Sequence, residues 1–185
     1  DISGFGIRCV REFRTLADAD KIVGDLGGLP AGSDCAALGS SFISLEFPHF
    51  FSARGFKTHI ILRSEGFFHR YVSKDAAHLI EKELCANGAV FYKNEEVEAF
   101  SGNGSVLSIK LKKAGILPVK FAGVGLGLAP NMNFAEISGI NVGRGITANE
   151  YLETSVPDIW SAGDVCEFFD VFASRQRKVG NWVNA

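Results

Sequence analysis

The 185-residue sequence has no long apolar run, no excess of charge of one sign and no closely spaced cysteines. No stretch reaches the roughly 18 to 20 apolar residues of a membrane-spanning helix, and the first residues lack the order of a signal peptide. With 19 basic and 21 acidic residues, the net charge of -2 provides no basic surface for nucleic acid or for a membrane. We therefore expect no nucleic-acid partner, no membrane association and a cytoplasmic location.

The four cysteines are far apart, and none forms a Cys-x-x-Cys pair or a metal-type spacing with the four histidines. This pattern argues against a disulfide framework, a zinc site and a dithiol redox centre, so no metal site is predicted. A small buried hydrophobic side chain is the simpler interpretation of each cysteine. The cysteines are Cys9, Cys35, Cys85 and Cys166.

The first half of the chain alternates between helical and strand patterns, which indicates a parallel sheet. Apolar residues recur at helical spacing over residues 14–26, 42–55 and 73–86, and short apolar runs typical of buried strands lie at 35–38 and 58–62. The sequence pattern then changes to the one typical of antiparallel strands. A hairpin is predicted around a turn at 101–104, followed by a further strand at 121–125.

The segment from Cys35 to Glu46 has the layout of a dinucleotide-binding crossover, with a strand, a tight turn and a helix. The three glycine positions of the G-x-G-x-x-G pattern are occupied by Gly39, Ser41 and Ser44. Serine is a small replacement, and its hydroxyl adds a donor for a phosphate beside the N–H groups of a helix N-terminus. An ordinary strand-to-helix turn remains the alternative, because only one of the three glycines is present.

Arg63 follows the second strand, at the place where an NAD site carries a carboxylate that binds the adenosine ribose. A guanidinium suits a 2′-phosphate, which it holds with two parallel hydrogen bonds. Arg70 is a second candidate for this role, and a solvated surface position is the alternative for both arginines. The pattern favours NADP over NAD without deciding between them.

The run from Thr154 to Asp164 contains a loop stiffened by Pro157, a short apolar strand at 159–162, and then Gly163 and Asp164. The glycine lets the backbone approach a ligand, and the carboxylate stands at the C-terminal end of the predicted strand. Ligands of open α/β sheets bind at that end. A single aspartate after a strand is otherwise a turn former or a helix cap.

The run from Thr154 to Asp164 resembles the second flavin motif of the two-dinucleotide flavoprotein reductases, the pyridine nucleotide-disulfide oxidoreductase superfamily. Segments at 13–19, 39–46 and 125–131 are similar to the same family in the same order. Two further pieces are most similar to one branch, that of rubredoxin or ferredoxin reductases, nitrite reductase flavin modules and apoptosis-inducing-factor-like proteins. These pieces are Asp164–Phe168 and Asn181–Ala185.

The resemblance implies an α/β fold: a Rossmann-like three-layer (ββα) NAD(P)-binding domain with a parallel sheet, helices on one face and a β-meander on the other. It implies an N-terminal segment and helix over 1–30, an NAD(P)H-binding domain over 31–131 with the meander at 93–120, and a return at 132–185 into a partial FAD-binding domain. No flavin-binding strand-turn-helix precedes Asp1 and no C-terminal interface domain follows Ala185, so we expect a fragment of a longer enzyme.

By the same resemblance, the whole enzyme passes hydride from NAD(P)H to FAD, and electrons continue to an unidentified acceptor, such as a redox protein. Glu46 would reach toward the nicotinamide as the catalytic candidate, and Asp164 beside Gly163 would bind the ribityl chain of FAD. Arg63 would bind the adenosine ribose. The remaining residues expected around the nucleotide are Gly39, Ser40, Ser41, Phe42, Ile43, Ser44, Gly125 and Gly127.

Two other classes of function compete with this interpretation. A degenerate nucleotide-binding scaffold or sensor without catalysis is supported by the two serines of the turn and by Pro48 inside the helical segment. A thioredoxin-reductase-like dithiol enzyme is disfavoured, since no Cys-x-x-Cys is present. The fragment by itself is expected to bind NAD(P)H weakly, to hold no FAD and to be inactive, and its oligomeric state is open.

Overall fold

The structure is a computed structural model that describes residues 2–69, 72–102, 107–127 and 129–178 of the chain. Arg70, the second half of the predicted hairpin turn (103–104) and the segment Asn181–Ala185 lie outside the described residues. The chain divides after Gly127 into two compact units, which are described separately. None of the helices within the described ranges is long and apolar enough to cross a membrane.

The first unit alternates strands and helices and then continues through antiparallel strands. Its elements are β1 (Val10–Glu12), α1 (Leu16–Gly27), β2 (Asp34–Leu38), α2 (Phe42–Ala53), β3 (Lys57–Ile61), α3 (Lys74–Ala86), β4 (Ala89–Tyr92), β5 (Val97–Gly102), β6 (Leu107–Leu111), β7 (Gly115–Val119) and β8 (Phe121–Val124).

Five strands form a parallel sheet in the order β1-β8-β2-β3-β4. Strand β2 is buried on both faces, and its alternate side chains divide the core between two layers. Cys35 and Ala37 pack against α1 and α2, whereas Ala36 and Leu38 pack against the antiparallel sheet β5-β6-β7. The predicted three-layer fold, with helices on one face and a meander on the other, is confirmed.

Each long helix begins at a hydroxyl side chain that accepts a hydrogen bond from the backbone of its first turn. Thr15 forms a capping box with Asp18 at the start of α1, and Ser73 caps α3 through Ala76 N–H at 3.3 Å. These caps satisfy amide groups that have no partner within the helix. Helix α2 continues past Pro48 to Ala53.

The second unit contains α4 (Asn133–Ile137), β9 (Ile146–Ala148), β10 (Cys166–Asp170) and β11 (Arg175–Lys178), with the strands in the order β11-β10-β9. The predicted strand at 159–162 is wrong. Its backbone pairs with nearby residues instead, since Thr154 N–H donates to Ile159 O at 2.8 Å and Ser161 N–H donates to Leu152 O at 2.9 Å. Asp164 therefore lies in the turn before β10, and not at the end of a strand.

The cysteines differ in environment. Cys35 and Cys166 are buried, as predicted, and Cys9 is half-buried. Cys85 is exposed on α3, so the interpretation as a buried hydrophobic side chain is wrong for this residue. Burial raises the pKa of the Cys35 thiol to about 12, with a smaller contribution from the charge of Asp34. Cys35 is therefore a packing residue of β2 and stays protonated at neutral pH.

Candidate functional site

A groove of about 800 Å³ lies at the C-terminal ends of the central strands of the first unit. From β2, the chain adds β3 and then β4 on one side of the sheet, whereas β8 is added on the other side. The order of strands in the sheet therefore reverses between β2 and β8, which makes this position the topological switch point. Open α/β sheets bind ligands at such a switch point. The groove is therefore where the topology predicts a ligand.

Gly39 follows β2 and forms one edge of the switch point. Its φ of +109° lies in the left-handed region, and a Cβ atom at this position would overlap the carbonyl oxygen of Gly125. Glycine is required because the ends of β2 and β8 approach each other closely. Ser40 and Ser41 continue the same wall of the groove.

Ser41 is the N-cap of α2 and also connects this helix to β8. Its hydroxyl accepts the Ser44 N–H at 3.4 Å and donates to the carbonyl oxygen of Gly125 at 2.9 Å. Ser41 N–H in turn donates to Ser44 Oγ at 2.6 Å, which completes a capping box. The N-terminal end of α2 thus meets the groove in a fixed position, and the positive end of a helix dipole favours an anion.

Ser44 corrects the expectation that all three motif positions face the ligand. Its side chain is 0% exposed, and its hydroxyl donates to Ser41 O at 2.7 Å. A Cβ atom on Gly125 would lie 2.6 Å from Ser44 N and 2.9 Å from its Cα atom. The third glycine of the pattern serves close helix–strand packing, and here the neighbouring strand contributes the glycine that permits this packing.

Three other predicted residues lie on α2 but not on the groove wall. Phe42 is exposed and packs on Phe68, with ring centroids 4.9 Å apart. Ile43 packs against the helix-side core, and Glu46 is exposed on the helix surface. The structure therefore brings Gly39, Ser40 and Ser41 to the groove and leaves the following turn of α2 beside it.

The wall beyond β3 carries charged groups. Arg63, the residue predicted to bind the adenosine ribose, lines the groove together with Ser64, His69 and Glu96. The hydrogen bond and charge of Lys112, with smaller contributions that include Arg63, hold the pKa of Glu96 below its ordinary value. A cation and a carboxylate thus lie at the same end of the groove.

The remaining walls come from distant parts of the chain. Gly125 and Gly127, both predicted, follow β8, and Glu12 ends the adjacent strand β1. Ile2 and Phe5 form an apolar wall, which is fixed where Phe100 N–H donates to Ser3 O at 2.8 Å. Sequence reasoning missed Glu12, Glu96, Ile2 and Phe5, since no local motif contains them.

Gly163 and Asp164 lie in the second unit. Gly163 has a φ of +80° in the turn before β10, and Asp164 is exposed there. Ser161 nearby is buried, and its hydroxyl has no hydrogen-bond partner within the described ranges. Buried hydroxyl groups are normally paired, so this turn presents polar groups that suit a ligand rich in hydroxyls.

Comparison with known proteins places the chain in a family. Residues 1–185 match the model of the pyridine nucleotide-disulphide oxidoreductase family. The chain is 26% identical over 166 residues to the assimilatory nitrate reductase electron transfer subunit of Bacillus subtilis, covering 90% of this chain and 21% of that protein. It is 25% identical over 166 residues to the nitrite reductase [NAD(P)H] of the same organism, covering 90% and 20%.

The fold also matches solved structures. The ferredoxin reductase for the CYP199A2 system from Rhodopseudomonas palustris superposes with a TM-score of 0.89 at 22% identity, over 97% of this chain and 44% of that chain. At this identity the likeness shows the fold. The chain spans about a fifth of the length of the first curated relatives it matches. The family predicted from the motifs is confirmed: the chain belongs to the pyridine nucleotide-disulphide oxidoreductase family.

Proposed function

We propose that the chain is the NAD(P)H-binding part, with a piece of the FAD-binding part, of a flavoprotein oxidoreductase. The single observation that carries the proposal is the groove at the switch point, where Gly39 and Gly125 meet beside the N-terminus of α2. The name of one relative, nitrite reductase [NAD(P)H], supports the same nucleotide.

The residues present fit a dinucleotide. The groove volume of about 800 Å³ lies within the range of cofactor sites, roughly 300 to 1,000 Å³. A pyrophosphate would lie at Ser40 and Ser41, where the helix dipole favours negative charge, and Arg63 would bind the adenosine ribose or its 2′-phosphate. Ile2 and Phe5 would exclude water from one side. When bound, NAD(P)H supplies the hydride, and the protein contributes binding and orientation.

The second unit fits a contact to FAD. Asp164 would accept hydrogen bonds from ribityl hydroxyls, and the unpaired Ser161 hydroxyl would gain a partner there. When bound, FAD accepts the hydride and supplies electrons to an acceptor. The name of the ferredoxin reductase supports an acceptor that is a redox protein. Glu46 stays a prediction for the nicotinamide end, as do the cytoplasmic location and the oligomeric state.

A degenerate nucleotide-binding scaffold or sensor without catalysis is the second candidate. It is favoured by the hydroxyls of Ser41 and Ser44, which bond to each other's backbone and to Gly125. Neither hydroxyl then needs a phosphate as its partner.

Titration calorimetry with NADPH and NADH on the purified protein distinguishes the two candidates. We expect saturable binding of at least one nucleotide, because the groove at the switch point meets the N-terminus of α2, which favours an anion. An absence of heat at millimolar concentrations of both nucleotides would support the scaffold and overturn the proposed function.

Arg63→Glu tests the role of the arginine. We expect the ratio of NADPH affinity to NADH affinity to fall by roughly 10- to 100-fold, since a charge-assisted contact to the 2′-phosphate is lost. Arg54→Glu, the same charge change at the exposed C-cap of α2, is the control and should leave the ratio unchanged. A ratio that is also unchanged in Arg63→Glu would show that Arg63 does not bind the 2′-phosphate.

A further inference from the structure

We propose that Glu81, which lies outside the groove, is a positioning residue for nucleotide selectivity. It would act on the loop of residues 62–69, called here the Arg63 loop, which follows β3. This loop carries Arg63, Ser64 and His69 to the groove wall. The inference rests on the proposed function, since it concerns how Arg63 is presented to the adenosine ribose.

Glu81 joins three segments of the first unit. It lies on α3 with a side chain that is 9% exposed. Its Oε1 atom accepts the backbone N–H of Phe67 at 2.8 Å, and its Oε2 atom accepts Lys93 Nζ at 2.5 Å. The carboxylate therefore holds the middle of the Arg63 loop against α3 and against the segment that follows β4.

The centre of the Arg63 loop depends on this contact, because the other backbone hydrogen bonds of the loop lie toward its two ends. At one end, Leu62 N–H donates to Tyr92 O and Leu62 O accepts Glu95 N–H, both at 2.8 Å, and Ser64 O accepts Asn94 N–H at 3.1 Å. Ser64 Oγ donates to Gly66 O at 2.9 Å, and at the other end Phe68 O accepts Val72 N–H at 3.2 Å. Phe67 is fully buried, so its N–H has no water to bond if the carboxylate is removed. The next residue, Phe68, has a φ of +56°, which a non-glycine residue adopts only when its surroundings hold it there.

The same loop also contacts the helix that faces the groove. Phe68 packs on Phe42, the first residue of α2, with ring centroids 4.9 Å apart. Through Phe68, the loop that carries Arg63 is therefore in direct contact with the N-terminus of α2. A nucleotide with a 2′-phosphate has negative charge at both of these places, whereas NADH has it only at the pyrophosphate. A displaced loop should therefore weaken the binding of NADPH more than the binding of NADH.

The experiment measures NADPH and NADH affinities by calorimetry in Glu81→Ala and Glu81→Gln proteins. We expect the NADPH-to-NADH affinity ratio to fall about tenfold in Glu81→Ala. The fall should be about threefold or less in Glu81→Gln, since a glutamine oxygen still accepts the Phe67 N–H. Asp25→Asn is the matched control: Asp25 has an 8% exposed side chain and accepts Arg11 Nε at 2.7 Å, away from the groove. It should leave the ratio unchanged.

Two further measurements separate positioning from general destabilisation. In an Arg63→Ala background, Glu81→Ala should change the ratio no further, because the effect passes through Arg63. Amide hydrogen exchange at Phe67 should accelerate in Glu81→Ala and much less in Glu81→Gln. If Glu81→Ala does not fold, Glu81→Gln carries the comparison with the same expected direction.

The inference is overturned if both affinities fall equally, or if Glu81→Ala lowers the ratio as strongly without Arg63 as with it. It is also overturned if exchange at Phe67 is unchanged. A ratio that is unaffected by Arg63→Ala alone, in a protein that binds nucleotide, counts against the role proposed for Arg63. A protein that binds neither nucleotide counts against the proposed function.

Discussion

The hydroxyl of Ser41 donates a 2.9 Å hydrogen bond to the carbonyl oxygen of Gly125, although the two residues are 84 positions apart in sequence. The bond joins the first turn of α2 to the end of β8. These are the two edges of the crevice at the switch point, where the order of strands in the sheet reverses. The serine at a glycine position of the motif therefore has a structural role, and its loss should affect both stability and binding.

Ser41→Ala should lower the free energy of unfolding by about 1–3 kcal/mol, since it removes the cap of α2 and the partner of the Gly125 carbonyl. Urea denaturation measures the change. Ser73→Ala is the control, because Ser73 caps α3 through one bond to Ala76 N–H and has no connection to β8 in the described hydrogen bonds. It should cost only about 1 kcal/mol. Equal losses would mean that the bond to Gly125 contributes nothing.

Gly125→Ala should be strongly destabilising. Its Cβ atom would lie 2.6 Å from Ser44 N and 2.9 Å from Ser44 Cα, both backbone atoms of a capped helix. We expect a loss of about 1–3 kcal/mol or more in the free energy of unfolding. Gly24→Ala, in the interior of α1 with nothing within 4 Å of the added Cβ atom, should instead stabilise by about 0.5–1 kcal/mol. The same sign for both changes would contradict the packing argument.

Gly39→Ala should reduce nucleotide affinity at least about tenfold. The left-handed φ of +109° penalises any Cβ atom, and the added atom would displace the Gly125 carbonyl at the switch point. Gly55→Ala is the control, because Gly55 also has a positive φ but is not part of the groove wall. Calorimetric titration with the better-binding nucleotide should show full affinity in the control. Retained affinity in Gly39→Ala would place the nucleotide elsewhere.

Glu167 should make stability depend on pH. Burial by itself raises the pKa of its carboxyl group, but hydrogen bonds from the side chain and backbone of Arg144 outweigh this, and the folded-state pKa is lowered from 4.5. A lowered pKa stabilises the fold above the unfolded value, and the contribution is lost as the pH falls through the folded value. Glu167→Gln should therefore cost about 1–2 kcal/mol at pH 7, a modest amount because Arg144 is 70% exposed.

The difference between the two proteins should shrink as the pH falls below 4.5 and through the lowered folded-state pKa, where the wild-type carboxylate becomes protonated. Urea denaturation over a pH series from 7 downward measures the difference, with Glu150→Gln, a change at an exposed residue of the same unit, as the control. A difference that is independent of pH would show that the charge of Glu167 does not stabilise the fold.

The local elements were predictable because their signals are local. Thr15 and Ser73 cap the helices that the apolar spacing predicts, and the runs at 35–38 and 58–62 became buried parallel strands. The strand predicted at 159–162 was wrong because its backbone found partners among residues 152–154. Apolar composition alone does not reveal which neighbour a short segment will pair with.

By itself, the sequence determined the alternation of strands and helices, the family motifs and the position of Arg63 after β3, because each depends on residues close together in the chain. Only the tertiary structure decided that Ser44 is buried, that Glu12 and Glu96 reach the groove and that Glu81 holds the Arg63 loop. These relationships join residues far apart in sequence. The burial of Ser44 follows from the close approach of β8 to β2 at Gly125 and Gly39. The packing of whole layers sets that distance.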